Sequence, residues 1–170
     1  MDEAEFDEFY ASSLRRLTGQ LYAMIGNHDE AQECVQEAFV RAWARRGLLD
    51  RRDGNPEAWV RVTAHRLAVS RWRRSATARR HRISPDRALA VCGVGEEPSE
   101  THVALVAALA KLPEEQRRAI VLHHIADLSV EQVARETGAP EGTVKARLSR
   151  GRTALAALLA DDPGTEEVRL

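Results

Sequence analysis

Between Glu141 and Arg152 a single acid accompanies four cations, Lys145, Arg147, Arg150 and Arg152, with Thr143 and Ser149 interspersed. Cations at this density neutralise phosphates, and a guanidinium can also bond guanine O6 and N7 with both prongs. A second basic group lies upstream. From Ala58 to Pro85 there is no acid, while Arg61, Arg66, Arg71, Arg73, Arg74, Arg79, Arg80 and Arg82 accumulate around Trp72. Guanidinium groups beside an indole suit an unpaired nucleic-acid strand, whose phosphates need charge and whose unstacked bases need a flat surface. A third group differs in character: Gln32, Glu33, Gln36, Glu37, Val40 and Arg41 share one face at helical spacing. Carboxylates and amides on a rigid support make either a wetted face or the arrangement a helical partner needs.

The elements that must position these groups are helices. Ser129 and Gln132 have the spacing of a capping box, in which each side chain satisfies the other residue's backbone N–H. Val130, Val133, Ala134 and Thr137 then share a face. Gly138 suits the left-handed position that ends a helix, and Pro140 with Glu141 suits the first turn of the next. Val144, Leu148, Leu155 and Leu159 form the apolar stripe of that second helix. Two short-linked helices, the second basic and rich in small residues, are the build of a helix-turn-helix DNA reader. The same build occurs as a plain αα-corner in proteins that never touch DNA, and the charge on the second helix is what argues against that.

Upstream, residues 5–26 read as one helix or a broken pair, with Phe6, Phe9, Tyr10, Leu14, Leu17, Leu21 and Met24 as core. A second helix spans Asp29 to Arg45, with Asp29 as N-cap or first-turn acid and Ala31, Cys34, Val35, Ala38, Phe39 and Ala42 as its buried stripe. Gly47 to Gly54 is a polar connection. Asn55 caps a third helix with Pro56 at its first position. Its inward residues are Val60, Thr63, Ala64, Leu67 and Ala68, and Trp59 packs in the core. Arg61, Val62, His65, Arg66, Val69 and Arg73 face out, with Trp72 near the end. Residues 101–111 form a short helix, and another runs from Pro113 to Ala126.

The fold expected is all-α: a helical domain over 1–75, a flexible linker at 76–100, a helix-turn-helix domain over 101–160, and an acidic tail at 161–170. The 170 residues carry 25 Lys and Arg against 26 Asp and Glu, so the net charge of −1 conceals a basic centre between acidic ends. Leu, Ala and Val dominate and aromatics are 5% of the chain, which suits helices. No run approaches the ~20 apolar residues that span a bilayer, so no membrane insertion is expected and the reading is cytoplasmic. Cys34 and Cys92 stand apart and read as reduced thiols; His123 and His124, being adjacent, point to different sides of a helix. No Gly-rich phosphate loop, HExxH or CxxC occurs, and no nucleophile has an evident base, so no catalytic residue, metal or cofactor is assigned.

Three stretches, EAQECVQEAFVRAW, AWVRVTAHRLAVSRWRRS and LPEEQRRAIVLHHIADLSVEQVARETGAPEGTVKARLSRGRTAL, resemble the extracytoplasmic-function group of bacterial RNA polymerase sigma factors. The likeness covers roughly residues 5–75 and 101–160, and its middle stretch is most similar to an actinobacterial branch with a Trp-Arg-Arg ending. The resemblance implies a protein that binds core RNA polymerase and promoter DNA, both as duplex and as melted non-template strand, with an anti-sigma factor as a further partner. It places Glu33, Gln36, Glu37 and Arg41 on the polymerase. It places Arg61, His65, Arg66, Val69, Trp72, Arg73 and Arg74 on the minus-10 element. Arg66 stands where the family usually has Asn, and Ser70 where Asp is common. For the minus-35 element it implies Lys145, Ala146, Ser149 and Arg150 in the major groove, with Gly142, Thr143, Arg147 and Arg152 on phosphates or positioning the helix. Ala146 and Ser149 are small, so fewer direct base contacts are expected. The rival reading is a free-standing helix-turn-helix regulator acting as a dimer, its first domain a dimerisation or ligand module. The basic, tryptophan-ended third helix speaks against that interface. A helical adaptor that sequesters a partner would leave the basic helix without a purpose.

Overall fold

The computed structural model describes residues 1–49, 55–79 and 100–160. The chain divides into two compact units, Met1–Gly95 and Glu96–Leu170, and every described element is helical, so the fold is all-α.

In the first unit α1 spans Glu3–Ile25, α2 His28–Ala44, the short α3 Arg46–Leu49, and α4 Pro56–Arg79. α1 is a single unbroken helix. It starts ahead of the expected residue because Asp2 and Glu5 form a capping box, with Glu5 N–H donating to Asp2 Oδ1 at 2.9 Å and Asp2 N–H to Glu5 Oε2 at 2.8 Å. It stops at Gly26, whose φ of 73° is left-handed. The N-cap of α2 is Asn27, which accepts from Glu30 N–H, and Asp29 is a first-turn acid instead. All the residues of the expected α2 stripe are buried, and α2 packs against both α1 and α4. Phe39 anchors an aromatic cluster with Phe6, Phe9 and Tyr10, at 6.3, 5.3 and 4.9 Å between ring centroids. α3 occupies part of the expected polar connection and buries Leu49. Asn55 caps α4, accepting from Ala58 N–H at 2.9 Å. α4 continues to Arg79, into the stretch 76–100 read as a linker; residues 80–99, Cys92 among them, and the tail 161–170 lie outside the described residues.

In the second unit α5 spans Glu100–Ala110, α6 Glu114–Ile120, α7 Val130–Thr137 and α8 Glu141–Ala160. The helix expected to run to Ala126 widens into a π-turn at Val121–Ile125, in which Ala126 N–H donates to Val121 O at 2.9 Å. His123 Nδ1 donates to Leu128 O at 2.7 Å and holds the chain as it turns toward α7 through Asp127, at φ 55°. The core is Val106, Leu109, Leu112, Ile120, Val121, Leu122, Val133, Val144 and Leu148. Leu155 and Leu159, expected in the buried stripe of α8, are only half-buried, while Gly151 is buried. A Cβ on Gly151 would lie 2.9 Å from Ile120 Cγ1. Gly151→Val should therefore lower the stability of this unit by about 1–3 kcal/mol through overpacking, read as the denaturant midpoint. An unchanged midpoint would show that Ile120 yields without cost.

Candidate nucleic-acid interface and partner face

The helix-turn-helix is held by its caps. Gln132 N–H donates to Ser129 Oγ at 3.2 Å, Ser129 N–H returns to Gln132 Oε1 at 2.8 Å, and Gly138 closes α7 at φ 70°. Pro140 sits one position earlier than expected: its carbonyl accepts from Val144 N–H at 3.0 Å, so it precedes the first helical residue. Val144 and Leu148 are buried. They turn Gly142, Thr143, Lys145, Ser149, Arg150 and Arg152 to solvent, with Ala146 half-buried between them. Lys145 Nζ lies 3.9 Å from Glu141, one turn away, and both groups are exposed, so this pair adds little. Arg147 is different: it is half-buried and pairs with Glu115 of α6 at 2.8 Å, which makes it a strut between helices that a phosphate would have to share. His124 lies at the π-turn beside this helix, and burial, together with His123 and Arg152, pushes its imidazole below the usual range.

On α4 the expected outward stripe is corrected at two positions. Arg61 and His65 are buried, 6% and 8% exposed. Arg61 Nη1 donates to Gln20 of α1 at 3.2 Å and to Glu57 at 3.3 Å. The reason is that α4 packs against both α1 and α2, so its buried arc is wider than that of a helix lying on one neighbour. Neither side chain faces outward with the rest of the stripe. Arg66, Trp72, Arg73 and Arg74 are exposed and Val69 half-exposed. Trp72, at 64% exposed, is a large apolar side chain left in water among cations. Trp59, expected in the core, is half-buried.

On α2, Gln32, Glu33, Gln36, Val40 and Arg41 are exposed and Glu37 half-exposed. Val40 is 70% exposed. The carboxylates do not stand alone. Arg71 of α4 reaches across with Nη1 2.7 Å from Glu33 and Nη2 3.0 Å from Glu37, and Arg41 bonds the other oxygen of Glu37 at 2.5 Å. The hydrogen bond from Arg71 holds the Glu37 carboxyl below its usual range. Beneath them Cys34 is fully buried, and burial pushes its thiol up. Among the described residues no cluster of His, Cys, Asp or Glu could hold a metal ion. No helix among them is long and apolar enough to cross a membrane.

The sequence profile of sigma-70 region 2 matches residues 9–78, and that of sigma-70, region 4 matches residues 102–155. The ECF RNA polymerase sigma factor SigW of Bacillus subtilis is 30% identical over 180 residues, covering 93% of this chain and 89% of its own. SigM of Mycobacterium tuberculosis, also an ECF sigma factor, is 30% identical over 158 residues, covering 93% and 79%. The chain belongs to the ECF sigma-70 family. Its fold agrees: the sigma factor RpoE of Bartonella quintana, solved in complex with the anti-sigma factor NepR, superposes with a TM-score of 0.78 at 25% identity over 93% of this chain and 98% of that one. RpoE of Cereibacter sphaeroides is as similar as the mycobacterial and Bacillus proteins, 29% identical over 86% of this chain. The similarity therefore singles out no actinobacterial branch. Membership sets aside the dimeric regulator, since both sigma regions occur in the one chain. In this ECF sigma factor α2 and all but the last residue of α4 fall within the region 2 match, and α7 with most of α8 within the region 4 match.

For two residues of the region 2 surface the structure adds what their place in the sequence pattern does not show. Arg71 continues the inward stripe of Val60, Ala64, Leu67 and Ala68, and a lone arginine on a buried stripe is a sign of a partner on the facing helix. Val40 is an apolar member of the polar face of α2, and the packing of that helix leaves it exposed.

Proposed function

We propose that this sigma factor docks on core RNA polymerase through the polar face of α2, reads duplex minus-35 DNA with α8, and captures melted minus-10 bases with the exposed end of α4. The observation that carries the reading is a division of labour within one chain. One unit exposes Lys145, Ser149 and Arg150 on a buried-backed recognition helix, and the other exposes Trp72 among Arg66, Arg73 and Arg74. The first set suits base edges in a groove, the second suits bases already out of the stack. Capture of a flipped base offsets the few kcal/mol that unstacking costs. Joining the two DNA contacts in one chain raises the effective concentration of the second once the first is made. The proposed partners are core polymerase, promoter duplex, the melted non-template strand and, as in the Bartonella complex, an anti-sigma factor. The proposed setting is the cytoplasm, and no cofactor or catalytic step is assigned.

The test is co-purification of the chain with core polymerase followed by transcription from a promoter library; a chain that binds DNA but never core would sink the reading. Val40 gives the cleanest probe of docking, because it is exposed and bears on no intramolecular ion pair. Val40→Asp should weaken core affinity about tenfold, or about 1.4 kcal/mol, if the valine is buried at the interface. It should leave folding stability within about 0.5 kcal/mol of the parent. Titration of labelled sigma factor with core polymerase reads the first effect and thermal unfolding the second.

A further inference from the structure

We propose that Arg71 is a positioning residue for polymerase docking: it fixes the carboxylates of Glu33 and Glu37 on α2 in the geometry the partner meets. The inference rests on the docking face proposed above. Glu33 and Glu37 lie one helical turn apart, and the two prongs of one guanidinium reach one oxygen of each, at 2.7 and 3.0 Å. The planar fork of an arginine matches two acceptors at once, which the single ammonium of a lysine does not. Arg71 is itself supported. Its side chain is 28% exposed, and it emerges from the stripe that packs α4 on α2, so its own position is settled by the fold.

Cohesion of the two helices does not account for this arrangement. The seam between them is already closed by Cys34, Val35, Ala38, Ala64, Leu67 and Ala68, all buried. Ion pairs with carboxylates as exposed as Glu33, at 68%, contribute little to folding. What the fork does change is the freedom of two glutamates on a surface meant for a partner. A glutamate free in solution must give up its rotamers when it docks, whereas one already held has less to lose. Each carboxylate offers about four acceptor positions. Arg71 and Arg41 occupy only some of those on Glu37, and Glu33 has further ones open to solvent. A basic partner surface can therefore engage the outer lone pairs without displacing Arg71.

The experiment compares full-length parent, Arg71→Met, Arg71→Lys and a Glu33→Ala, Glu37→Ala pair with and without Arg71→Met, titrating each with core polymerase and recording its thermal midpoint. Arg71→Met keeps the apolar stem and loses the fork. It should weaken core binding about threefold to tenfold, with a midpoint shift of no more than about 4 °C. Arg71→Lys should recover part of the affinity, and in the doubly substituted background Arg71→Met should weaken binding no further. Parental affinity for Arg71→Met while Val40→Asp binds weakly would overturn the positioning role and leave docking by α2 intact. Equal additional loss in the doubly substituted background would also overturn it, because Arg71 would then be touching polymerase directly. Parental affinity for all these variants, Val40→Asp included, would remove the docking face and the inference together.

Discussion

Arg150→Ala is expected to weaken binding to a preferred minus-35 duplex by about 1–3 kcal/mol, or about 5- to 150-fold. Arg150 is exposed on α8 and has no ion-pair partner among the described residues, so its fork is free to meet guanine O6 and N7 together. Lys145 occupies the same exposed surface but offers a single charge, with Glu141 nearby at 3.9 Å. Lys145→Ala should therefore cost less, and less specifically. On the proposed reading the small neighbours Ala146 and Ser149 would add few direct base contacts, which should concentrate sequence preference in the two long cations. The measurement is a competition assay on duplexes that vary one minus-35 position at a time, at fixed salt. Discrimination should collapse at one position for Arg150→Ala. A uniform loss over all duplexes, with a shallower salt dependence, would instead make Arg150 a phosphate contact.

The recognition helix was legible because its punctuation is local. Ser129 with Gln132 and the glycine at 138 specify a helix end and a turn through bonds between near neighbours. The α2 stripe was legible for a similar reason: one apolar face at regular spacing needs no knowledge of what covers it. Legibility failed where tertiary packing sets the outcome. Arg61 and His65 fall outward on a helix with one buried side, whereas α4 is covered by two helices, and Arg61 bonds Gln20 of α1 and Glu57 of its own helix. The π-turn after Ile120 depends on bonds that close only when the chain has turned toward α7, among them Leu128 N–H to Leu122 O at 3.0 Å. Gly151 carries no periodic signal at all. Its role exists only because Ile120 lies against α8. The exposed basic stripe of α4 is consequently narrower than sequence implied, and on the proposed reading its aromatic member would carry more of the strand capture.

That member is Trp72, and Trp72→Ala should slow open-complex formation by about 5- to 150-fold, the equivalent of the 1–3 kcal/mol that one base–aromatic stack contributes. An indole 64% exposed keeps much of its apolar surface in water. Stacking on an unpaired base would bury one of its faces and so favour the melted strand over the duplex. Arg66 and Arg73 are exposed one face over on the same helix, and as proposed they would supply phosphate contacts that bring that strand to it. Arg66→Ala should therefore act in the same direction with a smaller effect, because it removes charge but leaves the stacking surface. Trp72→Phe should retain part of the rate, since a smaller ring still offers a flat face. None of these substitutions should change core affinity or minus-35 duplex binding. Permanganate footprinting on a linear promoter reads the opening rate, and the same promoter with a pre-opened bubble should restore most of it, the unstacking cost having been met in advance. On the bubble template the Trp72→Ala complex should still dissociate faster than the parent, because the stack is missing from the final state as well. If Trp72→Ala opens the linear template as fast as the parent, strand capture passes to Arg66 and Arg73 acting through charge alone, and the salt dependence of opening should then be unchanged in the tryptophan variant and reduced in the arginine ones.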